Sequence, residues 1–243
     1  SGASLPERVL LLRHDIDTDP DYVPSWLAAE RAFGFVSTSY FRLRTLDVAQ
    51  MRSIAGNGGE ASYHYEELAS HAKAHGLRTR EAALAVLPAI RQRFATNLAA
   101  VRRLTGLPIE TIASHGDFAN RALGLANTAL IDRPFADELG IIAETYEPLI
   151  QDAVSCRISD QHYPKDWRFS RGPGSFEEIL PLDNAVVELL THPRHWRAAP
   201  GANLREDADR ILSSFFFGAG LGLRGYIDLA DRRGRLTVEQ ERS

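Results

Sequence analysis

Short apolar runs alternate with longer amphipathic stretches along this chain, and most of the runs stop at an aspartate or a histidine. Val9-Leu10-Leu11-Leu12 leads straight into Arg13-His14-Asp15-Ile16-Asp17-Thr18-Asp19-Pro20. A run that short, closed by acids and a proline, predicts a strand over Val9–Arg13 that stops at a sheet edge. Asp19-Pro20 suits a helix start, so Asp19 is expected to cap a helix through Trp26, Leu27 and Phe33, with Gly34 at its end. The second strand is expected over Val36–Leu43. Asp47 then caps a helix with Val48, Met51 and Ile54 on one face, stopped by Gly56. A third strand, Glu60–Tyr63, ends at His64.

The segment Thr79–Leu104 has helical periodicity, which Pro88 should kink or divide and Gly106-Leu107-Pro108 should end. The fourth strand, Ile109–Ala113, runs into Ser114-His115-Gly116-Asp117. The fifth, Gly140–Ala143, meets Glu144-Thr145-Tyr146, and the sixth, Ser155–Ile158, meets Ser159-Asp160. A loop holding Asp166-Trp167 precedes the seventh, Ala185–Leu190, which ends at Thr191-His192-Pro193. A helix over Leu204–Phe217 and a short strand near Tyr226-Ile227 complete the pattern, with Phe215-Phe216-Phe217 expected in the core. Strands alternating with helices predict an α/β fold with a parallel sheet. About seven such units would close into a barrel, where chemistry gathers at the C-terminal ends of strands. No linker or repeat divides the chain, so residues 1–243 are expected to form one domain.

Composition narrows the classes. The chain has 243 residues, 44% of them hydrophobic, enough for a sizeable core. The formal net charge of -4 gives no basic footprint for nucleic acid. The single cysteine, Cys156, excludes an intramolecular disulfide. No stretch of about 18 apolar residues marks a membrane span, and Ser1-Gly2-Ala3-Ser4 lacks a leader pattern. A cytoplasmic location is the expectation. The oligomeric state is not legible.

Asp15 and Asp17 fall on one face of a strand. Two adjacent carboxylates repel, which points to a nearby cation or to acid–base work. The bland alternatives are a salt bridge from Asp15 to Arg13 or Arg42, a turn at Asp160, and packing for His195-Trp196. His71 and His75 have metal-ligand spacing, but a solvated helix face explains them more simply. Beyond single residues, Asp15, Asp17, His64, His115, Asp160 and His192 all directly follow apolar or β-branched runs.

Three motifs carry a resemblance: His14-Asp15-Ile16-Asp17, Gly59-Glu60-Ala61-Ser62-Tyr63-His64, and Leu189-Leu190-Thr191-His192-Pro193. With them the chain resembles the polysaccharide deacetylase family (NodB homology, carbohydrate esterase family 4) over roughly Val9 to Trp196. The resemblance implies an irregular (β/α) barrel of about seven strands. It implies Asp15 as catalytic base, Asp17 and His64 as metal ligands, and His192 as general acid. It also implies that Asp166-Trp167 helps to orient that histidine. The sequence departs from the family twice. Leu68 stands where a second metal-binding histidine is usual, and Ser114-His115-Gly116 replaces the usual Arg-Pro motif. The chain therefore reads as a divergent branch.

A hydrolytic cation needs about three protein ligands and an open position for water. With Asp17 and His64 given, His115 is proposed as the third, with Glu67 and His71 as rivals. Such nitrogen and oxygen donors suit zinc first, and also iron, cobalt, nickel or manganese. Asp160 or Asp166 would hold His192, and Arg42 or Arg44 would keep Asp15 ionised. Glu144, Tyr146 and Trp167 are expected to meet the substrate, a small sugar or glycan. The expected reaction is removal of an N-acyl group, acetyl first, by metal-dependent hydrolysis. A catalytically silent glycan- or metal-binding homologue, or a deformylase or amidase on a non-carbohydrate amide, are the alternatives.

Overall fold

The structure, a computed structural model, describes residues 8–161, 166–183, 185–196 and 200–219. The strand expected near Tyr226-Ile227 lies outside them. The described chain forms two compact units, each assembled from separate stretches of sequence. The first takes in the described residues of Ser1–His64, Leu104–Ala113 and Ile141–Ala198, and the second those of Tyr65–Arg103, Ser114–Gly140 and Ala199–Ser243.

The first unit is built on a sheet. Its strands are β1 (Arg8–Ile16), β2 (Thr38–Phe41), β3 (Glu60–Tyr65), β4 (Thr111–Ser114), β5 (Ala143–Glu144), β6 (Cys156–Asp160), β7 (Trp167–Arg171) and β8 (Ala185–Thr191). They lie in the order β5-β4-β3-β2-β1-β8-β6-β7, with β1 near the middle. β1 pairs in parallel with β2 and with β8, which puts Asp15 opposite Tyr40 and His14 opposite Thr191. The α/β alternation read from sequence is present. The closed barrel is not: among the described residues the eight-stranded sheet is open, with β5 and β7 as its edges.

β7 accounts for part of the difference. It lies in the stretch read as a loop and pairs antiparallel with β6, which makes the sheet mixed. The hairpin is tight where Gly172 adopts φ +81, and a Cβ there would meet Cys156 Sγ at 2.8 Å. Only glycine fits that approach without strain. β1 also runs further than expected, so His14, Asp15 and Ile16 are strand residues and buried. Ladders on both sides of β1 hold these polar residues in extended form against their weak strand propensity.

Helices α1 (Val23–Phe33) and α2 (Val48–Gly56) belong to this unit. Asp47 caps α2 by accepting from Gln50 N, and Met51 and Ile54 are buried, as their spacing implies. Asp19 does not cap α1. It sits at φ 53 before a short 3-10 turn, Pro20–Tyr22, and makes no side-chain cap bond. Left-handed backbone is tolerated by aspartate better than by most residues. Beyond β5 come α3 (Pro148–Ala153), α4 (Phe176–Ile179) and α5 (Pro193–Trp196). Cys156, Ile158 and Ile179 make a small core there, with Trp167, Phe169 and Val187 against it.

The second unit is helical: α6 (Glu67–His75), α7 (Arg80–Ala85), α8 (Leu87–Thr105, up to Arg103 in this unit), α9 (Phe118–Leu123), α10 (Arg133–Glu138) and α11 (Pro200–Gly218). Pro88 divides the long amphipathic segment, because proline fits the first helical turn and not the interior. Leu68, Ile90, Phe94 and Leu98 are buried, each worth about 1.5–3 kcal/mol of transfer free energy. Of the three phenylalanines expected in the core, Phe217 is buried against Phe118, whereas Phe215 and Phe216 are exposed. No helix among the described residues is long and apolar enough to cross a membrane.

Candidate functional site

Asp15, Asp17 and His64 come together at the C-terminal ends of β1 and β3. His64 Nε2 lies 3.2 Å from Asp17 Oδ1 and 3.5 Å from Asp15 Oδ2. The other ring nitrogen, Nδ1, donates to the Ala113 carbonyl at 2.9 Å. That bond fixes the tautomer, so in the neutral ring the Nε2 lone pair faces two carboxylates. Such an arrangement repels until a proton or a cation sits among the three atoms. Imidazole nitrogen and carboxylate oxygen at this spacing are donors of the kind zinc takes, with ligand atoms about 3.4 Å apart around a tetrahedral ion. The residues present therefore fit a divalent cation.

Asp15 is held by Arg13 from two positions earlier on the same strand face. Arg13 Nε and Nη2 donate to Asp15 Oδ1 and Oδ2, both at 2.8 Å, a bidentate pair. Arg13 Nη1 reaches Glu188 at 3.3 Å, and Arg157 Nε holds the other Glu188 oxygen at 2.5 Å. The guanidinium lies 5.3 Å from the Tyr40 ring centroid and 4.9 Å from that of Tyr146. Burial alone would raise the Asp15 pKa, but Arg13, then His64 and His192, hold it below the usual carboxylate range. Asp15 is thus a buried carboxylate whose charged form is favoured and whose orientation is fixed.

His192 follows β8, and Asp160 ends β6. Asp160 Oδ1 accepts from His192 Nδ1 at 2.7 Å, and Oδ2 accepts from the His192 backbone N–H at 2.7 Å. Trp196 Nε1 also donates to Oδ2, at 2.9 Å, and His195 Nδ1 lies 3.0 Å from Oδ1. Burial would lower the His192 pKa. The hydrogen bond to Asp160 and the charges of Asp17 and Asp15 outweigh it and raise the value. Asp160 is also buried, yet its bonds to His192 and His195 depress its pKa strongly. The bond to Asp160 therefore favours the charged form of the imidazole.

Asp166 is exposed and accepts from the Trp167 N–H, so of the two acids considered for His192 only Asp160 is bonded to it. Arg42 donates to the Asp17 carbonyl at 3.4 Å and Arg44 is exposed; the guanidinium on Asp15 is Arg13. Glu144 is buried and accepts from the Tyr146 N–H in the turn after β5. The Tyr146 hydroxyl accepts from Arg13 at 3.1 Å while part of its ring stays exposed. Trp167 is half-buried between Phe176 and Trp196, at 5.6 and 5.5 Å.

No protein-family model matches the chain, and no curated protein matches it. Solved structures of a CE4 family pseudoenzyme are similar to it at low identity. The wild-type protein, from Bacillus anthracis, is 11% identical, with a TM-score of 0.43 over 85% of this chain and 61% of that chain. A mutant of it gives 11%, 0.46, 85% and 63%, and a mutant with restored enzymatic activity 11%, 0.43, 86% and 64%. This chain thus spans less than two thirds of the length of those proteins.

Arg13, Glu188, Arg157, His195 and Trp196 are the residues that sequence reading left out of the site. The signal for Arg13 was available, since alternation puts it on the Asp15 face. Glu188 and Arg157 had none.

His115 belongs to the second unit. Its N–H donates to the Tyr65 carbonyl at 2.9 Å, and its own carbonyl accepts from Asn127 at 2.6 Å. Ligand atoms of Glu66, His115 and Asp117 lie within 4.8 Å of one another there. The rival ligand Glu67 accepts from Asn97 at 2.9 Å, and His71 stacks near His75 with ring centroids 4.1 Å apart.

Proposed function

We propose that this chain is a metal-dependent hydrolase that removes an N-acyl group, acetyl first, from a sugar or glycan. One observation carries the reading. A buried carboxylate with a depressed pKa, Asp15, shares a strand end with a histidine nitrogen and a second carboxylate suited to a cation, and lies in the field of a histidine whose pKa is raised, His192.

Each residue's task follows from its environment. Asp15 takes a proton from the attacking water, and Arg13 keeps it charged and aimed. His192 gives its proton to the departing nitrogen, and Asp160 holds the ring in the orientation and charge state for that transfer. A divalent cation, zinc first, held by Asp17 and His64, would acidify a water and polarise the acyl carbonyl. Tyr146 and Trp167 offer partly exposed aromatic surface for a sugar ring.

Leu68 favours a second reading. It is buried without exposure in α6, and an apolar side chain there supplies no ligand. A silent homologue that binds a metal or glycan would tolerate that loss. A deformylase or amidase on a non-carbohydrate amide would use the same groups.

The test is release of acetate from a panel of N-acetylated sugars by the zinc-loaded chain. Release that disappears in Asp15→Asn, with zinc still bound, supports the hydrolase. Bound zinc without release from any sugar or simple amide supports the silent homologue. Loss of zinc in Asp15→Asn means that the roles of Asp15 and Asp17 are exchanged.

A further inference from the structure

We propose that Asp160, His192 and His195 form a second divalent-cation site, weaker than the one proposed at Asp17 and His64. The site rests on its own geometry.

Two imidazole nitrogens converge on one carboxylate oxygen. His192 Nδ1 is 2.7 Å and His195 Nδ1 3.0 Å from Asp160 Oδ1. The three ligand atoms all lie within 4.8 Å of one another. The spacing has a local cause: His192 precedes α5 and His195 lies inside it, so one turn brings both rings to one side, with centroids 4.9 Å apart. Two imidazoles and one carboxylate form a donor set that zinc, cobalt, nickel and iron accept.

The surroundings prepare the set. Trp196 Nε1 and the His192 N–H both bond to Asp160 Oδ2, which leaves Oδ1 turned toward the rings. Outer hydrogen bonds of this kind orient a metal-binding carboxylate. Bonds of 2.0–2.1 Å around a tetrahedral ion would separate the ligand atoms by about 3.4 Å. The His192 contact with Asp160 would have to open by about 0.7 Å and the His195 contact by about 0.4 Å, within the reach of side-chain rotation. Its rings are not sealed: the His192 side chain is 19% exposed and that of His195 15%, so an ion and a completing water can enter.

The chemistry balances without a co-reactant. The ion takes the Nδ1 lone pairs and the Asp160 oxygen, and protons on Nδ1 leave to solvent. This exchange opposes binding and makes the site the weaker of the two. A His192 ring with an ion on Nδ1 keeps a single proton on Nε2.

Calorimetric titration of the metal-free full chain with zinc tests this. Two binding steps are expected. His195→Ala and His195→Gln should each lose the weaker step and keep the tighter one; the glutamine variant preserves bulk and hydrogen bonding if alanine perturbs folding. Asp17→Asn combined with His64→Ala should do the reverse. A weaker step that survives both His195 substitutions at unchanged affinity, or a wild-type titration with one step that neither touches, overturns the second site. If only the His195 variants lose a step and the Asp17/His64 variant loses none, the second site stands and the metal reading of the proposed function falls.

Discussion

Two strand ends carry the same kinds of residue and use them differently. At the end of β1, in the first unit, Asp15 is bonded to Arg13 and turned toward His64. Beyond β4, in the second unit, Asp117 is consumed by structure. Its Oδ1 accepts from the Ala119 N–H in a capping box that opens α9, and its Oδ2 takes the fully buried Lys73 ammonium at 2.5 Å. Asn120 and Asn127 complete that network. Beyond its guanidinium partner Asp15 keeps a second ionisable side chain, His64, within 3.5 Å, whereas the bonds of Asp117 go to a helix cap and a buried ammonium. An aspartate after a strand is therefore not in itself a sign of chemistry.

The largest separation of the two regions should come from breaking each ion pair. Arg13→Met would leave Asp15 buried without its guanidinium, at a cost of about 3–5 kcal/mol in urea unfolding, and turnover should be lost. Lys73→Met should also destabilise, by about 3 kcal/mol, yet zinc should still bind at Asp17 and His64. Loss of zinc in Lys73→Met, measured by metal analysis of folded protein, would erase the contrast.

Next come the two acids of β1. Asp15→Asn should lower turnover about 10²–10⁴-fold with zinc retained, while Asp17→Asn should lose the zinc. Acetate release and metal content on the same samples separate them.

A smaller effect is expected from Asp160→Asn. Because Asp160 raises the His192 pKa, its removal should move the alkaline limb of the pH–rate profile to lower pH. An unmoved limb would assign that ionisation to another group.

The mildest effect is on stability against pH. The Asp15 and Asp160 pKa values are depressed from 3.8, so their contribution is whole above that value and lost as pH falls toward the folded values. The His192 pKa is raised from 6.5, so its contribution is whole below that value and fades as pH rises through the folded one. Urea midpoints should therefore be highest between about pH 4 and pH 6.5. Asp160→Asn should flatten both flanks.

Periodicity made much of the frame legible. The apolar run before Arg13 marked β1, and the alternation of strands and helices marked an α/β fold. β7 was missed because Trp167-Arg168-Phe169-Ser170-Arg171 has no continuous apolar run, although its period-2 pattern is that of a half-buried strand. The expectation of ring closure came from counting units. Whether a sheet closes depends on what its edge strands meet, and here β5 and β7 remain edges.

The amino-acid order alone determined which side chains share a strand face and which can cap a turn, because backbone geometry repeats over two to four residues. It therefore placed Asp15 beside Asp17, and it contained the Arg13–Asp15 pair. Only the tertiary structure decided that Asp160, and not Asp166, holds His192, that Glu188 and Arg157 brace Arg13, and that His195 and Trp196 turn to the same carboxylate. Those meetings join residues brought close by the ladders of β1, β8 and β6, and no local period encodes them.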